Sequence, residues 1–184
     1  MQLSASRVLL TGATGGMGRA IVAALCARGA QVLVVGRQDQ ALQALVARNP
    51  DLVSCLQADL RQAVDRASVL RQAQQLGDIN LLINAAGINH FGLFENMAEQ
   101  TISDLIDTNL SATLQLTHLL LPLLRSQPQS CVVNIGSTFG SIGYPGFSVY
   151  CATKFALRGF SEALRRELAD TNVGVLYMAP RATR

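Results

Sequence analysis

The 184-residue chain is predicted to form a three-layer α/β/α domain built on a doubly wound, mostly parallel sheet. Three observations predict it. Strand-length apolar runs alternate with helix-length segments along the whole chain. Those runs are continuous Val/Leu/Ile stretches rather than alternating ones, the pattern of strands covered by helices on both faces. The composition, 49% apolar and 15% charged, supplies a full core and lies far from the high-charge range of disordered chains. At ~150 residues per domain the length gives one domain. With no repeat or low-complexity linker, residues 1–184 read as a single unit.

The elements follow in order. A strand over Arg7–Thr11 leads to a helix over Gly16–Arg28, and Gln31–Gly36 leads to Asp39–Arg48. Leu52–Ala58 precedes a helix over Arg61–Leu76, and Ile79–Ile83 precedes a loop and a long helix over Ile102–Arg125. Cys131–Gly136 runs through a Gly-rich loop into a helix over Ser148–Ala169, and Val173–Met178 is the last strand.

Composition also excludes. The net charge of +3 comes from 15 basic and 12 acidic residues without a basic stripe, which argues against nucleic acid. The apolar run Leu119–Leu124 contains Pro122 and is far short of the ~20 residues of a membrane span. Met1–Ser6 shows no secretory pattern, and Cys26, Cys55, Cys131 and Cys151 match no metal spacing. The expectation is a cytoplasmic protein with reduced thiols, no bound metal and no membrane contact.

The first strand runs into Thr11-Gly12-Ala13-Thr14-Gly15-Gly16-Met17-Gly18 and then a helix. Glycines there permit positive φ and close backbone approach, and the helix start offers free N–H groups to a pyrophosphate. The spacing is G-x-x-x-G-x-G, with no Lys after the last glycine as a Walker loop would need. Its place between strand and helix favours dinucleotide binding, on a Rossmann-like domain, over a packing turn. The second strand ends in Gly36-Arg37, without a carboxylate to accept from a ribose 2′-OH. Arg37 suits a 2′-phosphate through a bidentate pair, unless it is simply a solvated surface residue, so NADP is preferred and NAD remains possible.

One lysine stands among fourteen arginines, and that lysine, Lys154, lies four residues after Tyr150 on one helix face. Lowering a tyrosine pKa by ~3 units takes ~4 kcal/mol. A positive charge ~5 Å away at an effective dielectric of ~20 supplies ~3.3 kcal/mol. The pair therefore fits a general acid/base better than a helix tyrosine beside a snorkelling lysine.

With these residues in view, the chain resembles the short-chain dehydrogenase/reductase family. The resemblance rests on Thr11-Gly12-x-x-x-Gly16-x-Gly18, Asn84-Ala85-Ala86-Gly87, Asn109, Ser137 and Tyr150-x-x-x-Lys154, and it spans nearly the whole chain. It implies a hydride transfer between a nicotinamide cofactor and a small carbonyl or alcohol substrate. Tyr150 would be the acid/base, and Ser137 would polarise the carbonyl; Thr138 and Ser141 lack its 13-residue spacing to Tyr150. Lys154 would lower the tyrosine pKa and hold the nicotinamide ribose, and Asn109 would order a proton-carrying water chain if it is not a locally bonded helix residue. The cofactor groove would be lined by Gly12, Thr14, Gly15, Met17, Gly18 and Arg37, by Asp59 and Leu60 near the adenine, and by the Asn84–Gly87 turn. Pro180 would sit by the nicotinamide carboxamide. Asp59 also reads as an N-cap of the helix that follows it. His118 reads as structural and His90 as either mouth or loop surface.

Two departures stand out. Pro180 is followed by Arg181, Ala182 and Thr183 where the family has Pro-Gly, and the substrate-covering segment of the family has no counterpart up to Arg184. They keep a second reading open, a non-catalytic nucleotide-binding relative acting as sensor or partner binder. Small and apolar residues on the last two helices predict a homodimer or homotetramer.

Overall fold

The computed structural model describes residues 2–77 and 79–181. Six strands, β1 (Arg7–Thr11), β2 (Gln31–Gly36), β3 (Val53–Gln57), β4 (Leu81–Asn84), β5 (Ser130–Ile135) and β6 (Val173–Met178), form one sheet in the order β3-β2-β1-β4-β5-β6. Every neighbouring pair is parallel. The helices are α1 (Gly16–Cys26), α2 (Asp39–Val46), α3 (Ala63–Gln75), α4 (Glu99–Ile106), α5 (Ala112–Arg125) and α6 (Ser148–Glu167).

The continuous apolar strands have a direct reason in this packing. Leu9, Leu33, Leu82 and Val132 are buried on one face against Val69, Leu116, Leu120 and Leu164 of α3, α5 and α6. Their strand neighbours Val8, Leu10, Val32, Val34 and Ile83 point the other way, against Val22, Leu25, Leu42 and Leu45 of α1 and α2. Both faces are thus covered, and the polar side chains on the central strands, Thr11, Asn84, Ser130 and Asn134, are buried with hydrogen-bond partners. The strand order reverses between β1 and β4, which opens a crevice at the carboxyl ends of the strands.

The predicted single helix Ile102–Arg125 is corrected. Helix α4 begins at Glu99, and a π-helical segment over Asp107–Ser111 separates it from α5. The wider turn there lets Asn109, fully buried, reach the loop after β4. His118 is exposed on α5 and has no core role, because it lies on the helix face opposite buried Leu116, Thr117 and Leu120. Asp59 does not cap α3; Gln62 holds the cap position without a side-chain bond, and Asp59 lies too far upstream.

Candidate functional site

The site starts with the glycine loop. Gly12 has φ of 69°, and a Cβ there would come within 2.6 Å of the Ala85–Ala86 backbone. Only glycine lets the loop after β1 lie against the turn after β4. Thr11 ties the two together: its Oγ1 accepts from the amides of Ala85 and Ala86, both at 3.1 Å. Helix α1 then begins at Gly16 with no side chain capping it, so its first amides face the crevice. Arg19, exposed on α1, donates from Nε to Thr14 O at 2.9 Å and braces the loop.

The crevice between β1 and β4 encloses about 720 Å³. Of the residues named from sequence, Gly12, Thr14, Gly15, Met17 and Gly18 form its floor, and Arg37, Asp59 and Leu60 one end. Asn84 through Gly87 form the side opposite the glycine loop, and Tyr150 and Lys154 the other end. Asn109, Ser137 and Pro180 stand behind or beside this lining. Asn109 clamps residue 88: its Oδ1 accepts from Ile88 N at 2.8 Å and its Nδ2 donates to Ile88 O at 2.9 Å. A third bond from Nδ2 reaches Thr153 Oγ1 on α6 at 3.3 Å. Pro180 O accepts from Thr138 N at 3.3 Å, which holds the end of β6 against the Ser137 loop. The exposed Arg181 follows it, while Ala182 and Thr183 lie outside the described residues.

The side chain of Asn84 does less in the crevice than its backbone. Its Nδ2 donates to Thr117 Oγ1 at 3.0 Å and Asn134 Oδ1 at 2.9 Å, and Asn134 in turn donates to Ser161. This buried chain joins β4, β5, α5 and α6 beneath the site.

Tyr150 and Lys154 share a face of α6 as their spacing requires, and Lys154 Nζ sits 5.6 Å from the Tyr150 ring centroid. Lys154 is buried and donates to Ile135 O at 3.1 Å. Burial brings its pKa down to about 8. Tyr150, half-buried, moves opposite to expectation. Burial pushes its phenol above the ordinary range, and hydrogen bonding with Ser137 pulls the other way. Lys154 is not among the groups that shift the Tyr150 phenol. Ser137 Oγ also accepts from Phe139 N at 3.1 Å.

Beside Tyr150 stands an aromatic wall. Phe139 stacks on Tyr144 at 5.1 Å, Phe147 lies 5.2 Å from both Phe139 and Phe91, and both Phe139 and Phe147 meet Tyr150 edge-on. Phe91 and Tyr144 are mostly exposed, so the wall is open to a ligand. His90 is exposed on the loop and outside the crevice lining. Burial pushes the Cys26, Cys55 and Cys131 thiols up, and all four cysteines are free. Among the described residues no metal-binding cluster occurs, and no helix is long and apolar enough to cross a membrane.

Sequence reasoning missed several contributors, three of which bear on the chemistry. Arg61 and Thr108 line the crevice, and Tyr177 touches Ser137. Thr108 adjoins Asn109, but nothing in a helical pattern marks it as facing a cleft until the π-helical turn is seen.

A doubly wound sheet with a glycine loop at its reversal point, and a Ser, Tyr and Lys at the mouth, defines a dinucleotide-type α/β domain of the oxidoreductase kind. Residues 6–184 match the family model described as short chain dehydrogenase, and the chain belongs to that family, whose members use NAD(P). It is 34% identical over 180 residues to the nodulation protein G of Rhizobium sp. (strain N33), covering 97% of this chain and 74% of that protein. It is 32% identical over 181 residues to the 3-oxoacyl-[acyl-carrier-protein] reductase FabG of Escherichia coli (strain K12), covering 98% and 74%. A crystal structure of a short-chain dehydrogenase from Streptomyces avermitilis superimposes with a TM-score of 0.93 at 36% identity, over 98% of this chain and 68% of that one.

Proposed function

We propose that this chain is an NADPH-dependent reductase of 3-oxoacyl thioesters or similar carbonyl compounds, with Tyr150 as general acid. The observation that carries the reading is the convergence of Tyr150, Lys154 and Ser137 at one end of a crevice whose other end holds Arg37.

The residues present fit a nicotinamide dinucleotide. Gly12 and Gly18, where a Cβ would collide with neighbouring backbone, let the loop fold tightly at the start of α1, and the uncapped α1 terminus suits the pyrophosphate. Thr108 Oγ1, on a lining residue, is buried without a hydrogen-bond partner among the described residues, as expected of a group beside a polar ligand. Gly12, Thr14, Gly15, Met17 and Gly18 would hold the pyrophosphate, and Arg37 the 2′-phosphate. Asp59 and Leu60 would lie by the adenine, Asn84 to Gly87 along the ribose, and Pro180 by the carboxamide. Hydride transfer is the chemistry that the nicotinamide supplies when bound.

The chain's own residues do the rest. Tyr150 Oη, protonated as a phenol, donates a proton to the substrate carbonyl oxygen. Ser137 Oγ hydrogen-bonds the same oxygen as its charge develops. Lys154 holds the nicotinamide ribose, and Asn109 keeps the residue 88 backbone and α6 in register for proton resupply. The aromatic wall beside Tyr150 receives an apolar acyl portion, which accords with the 3-oxoacyl substrate of the FabG relatives.

The protein is further proposed to work in the cytoplasm as a homodimer or homotetramer. The support is an open apolar groove between α4 and α6, bordered by Phe94, Ile102, Ile106, Val149 and Ala152, that one chain alone leaves uncovered.

The test measures NADPH oxidation with acetoacetyl-coenzyme A for the wild type and Tyr150→Phe, alongside calorimetric titration with NADPH and NADH. The variant should lose at least ~10²-fold in kcat with NADPH affinity unchanged. Arg37→Asp should weaken NADPH by ~1.5–3 kcal/mol. Tight NADPH binding with no turnover on any carbonyl probe would favour the sensor reading instead.

A further inference from the structure

Arg61 lies at the end of the crevice that holds Arg37, and it is fully committed to carboxylates. Its Nε donates to Asp59 Oδ1 and Oδ2 at 3.0 and 3.1 Å, and its Nη2 donates to Oδ2 at 2.6 Å. Its Nη1 reaches Asp104 Oδ1 on α4 at 2.9 Å, and its backbone amide donates to Asp59 Oδ1 at 3.1 Å. Asp107 also faces it. The sheet register sets Arg37 beside this group. Gly36 pairs with Gln57, and Ala58 N donates to Gly36 O at 2.8 Å, so Arg37 stands level with Ala58, one residue before Asp59. The charge of Arg37 reaches the Asp59 carboxyl, although Arg61 is the larger influence on it. Among the described residues Arg37 has no ion-pair partner of its own, and it is exposed to the crevice.

We propose that Arg61 is a determinant of dinucleotide specificity: by saturating Asp59 it leaves Arg37 unpaired for a 2′-phosphate and removes a carboxylate that would repel one. The proposal rests on the reading of Arg37 as the phosphate-binding residue. The physical reason is simple. A carboxylate within reach of Arg37 competes with phosphate for the guanidinium and opposes a dianion through like charge. A fork-shaped guanidinium bonded to both carboxylate oxygens cancels that competitor, and Asp104 anchors the fork from the facing helix. A ribose 2′-OH carries no charge and is indifferent to this cancellation, so NADPH and NADH respond differently.

The experiment is calorimetric titration of the full chain with NADPH and with NADH, for the wild type, Arg61→Gln and the double variant Asp59→Asn/Arg61→Gln. Arg61→Gln should raise the NADPH Kd about tenfold and leave the NADH Kd within about twofold, a charge effect screened by salt. Removing the freed carboxylate in the double variant should return the ratio of the two constants to within about threefold of the wild type. An unchanged ratio in Arg61→Gln, or a ratio that the double variant does not restore, overturns the proposal. Should Arg61→Gln fail to fold, Arg61→Met keeps the apolar stem and removes the charge, and it must raise the NADPH Kd about tenfold relative to NADH; an unchanged ratio there overturns the proposal as well. A wild type that does not favour NADPH defeats the cofactor reading, yet the change of ratio on losing Arg61 still decides this one. Binding of neither dinucleotide defeats both.

Discussion

Tyr177 Oη lies 3.4 Å from both the amide nitrogen and the carbonyl oxygen of Ser137, accepting from the first and donating to the second. The contact joins β6 to the loop after β5. It depends on glycine at two neighbouring positions, because a side chain at Gly136 or Gly140 would occupy the space of the Tyr177 ring. Lys154 O lies within 2.8 Å of where a Gly140 Cβ would stand, so the same small residue lets the Ser137 loop pack on α6. One phenol therefore fixes the main chain that aims the Ser137 hydroxyl.

Tyr177→Phe should separate aim from packing. The ring stays, only the hydroxyl is lost, and thermal unfolding should shift little. Losing hydrogen bonds worth ~0.5–1.5 kcal/mol predicts a fall in kcat of about 2- to 12-fold with the NADPH Kd unchanged. In a Ser137→Ala background the same change should have almost no further effect on kcat, since there is no hydroxyl left to aim. Equal losses in both backgrounds would assign Tyr177 a role independent of Ser137.

Much of this was legible beforehand because it is written in local pattern. The glycine loop needs a positive φ at Gly12 and close backbone approach, and both leave glycines at fixed spacing. Tyr150 and Lys154 lie one helical turn apart, so spacing alone brought them together. What could not be read depends on long-range placement. The helix predicted over Ile102–Arg125 contains no Gly or Pro near Asp107 to betray the π-helical segment, which is seen only through the bonds of Asn109 to Ile88. Tyr177 reads as one more apolar strand residue until β6 is laid beside β5. Arg61 reads as the first residue of a helix, whereas it folds back on Asp59 two positions earlier and reaches α4, 43 residues along. Burial, which spacing does not reveal, is the largest influence on the Tyr150 phenol and raises its pKa.

Lys154 gives stability a pH dependence of known sign. Its pKa is depressed to about 8 in the folded chain from an ordinary value of 10.5, because the buried ammonium is short of solvent. Below pH 8 the lysine is charged in both states, and the folded state bears the full cost of burying the charge. Between 8 and 10.5 the unfolded chain binds more protons, so this contribution to stability rises with pH. Lys154→Met removes it. The variant should be more stable than the wild type by up to ~3 kcal/mol at pH 7, and the gap should close by pH 10.5. Denaturant unfolding of both proteins at several pH values measures this. A gap that is constant across the range would mean that the lysine titrates normally when folded.

Asn109→Ala tests the clamp behind the site. The substitution strips three hydrogen bonds from a fully buried side chain. It leaves the amide and carbonyl of Ile88 without that partner, and unsatisfied buried groups cost ~1–3 kcal/mol each. The chain should lose ~2–4 kcal/mol of stability on that basis, partly offset by water reaching the vacated space. The functional effect should be local, because Gly87 lies between the clamp and Lys154: a Cβ on Gly87 would sit 3.3 Å from Asn109 Oδ1 and 3.7 Å from Lys154 Nζ. Hydrogen exchange should therefore accelerate at the amides of residues 86–89 while those of β1 and β2 stay protected. Asn109→Asp supplies the contrast. It keeps the acceptor for Ile88 N but loses the donor to Ile88 O, so it should retain protection at residue 88 near neutral pH while still weakening the link to Thr153. Uniform acceleration across the sheet in Asn109→Ala would show that the residue supports the fold as a whole rather than the turn beside Lys154.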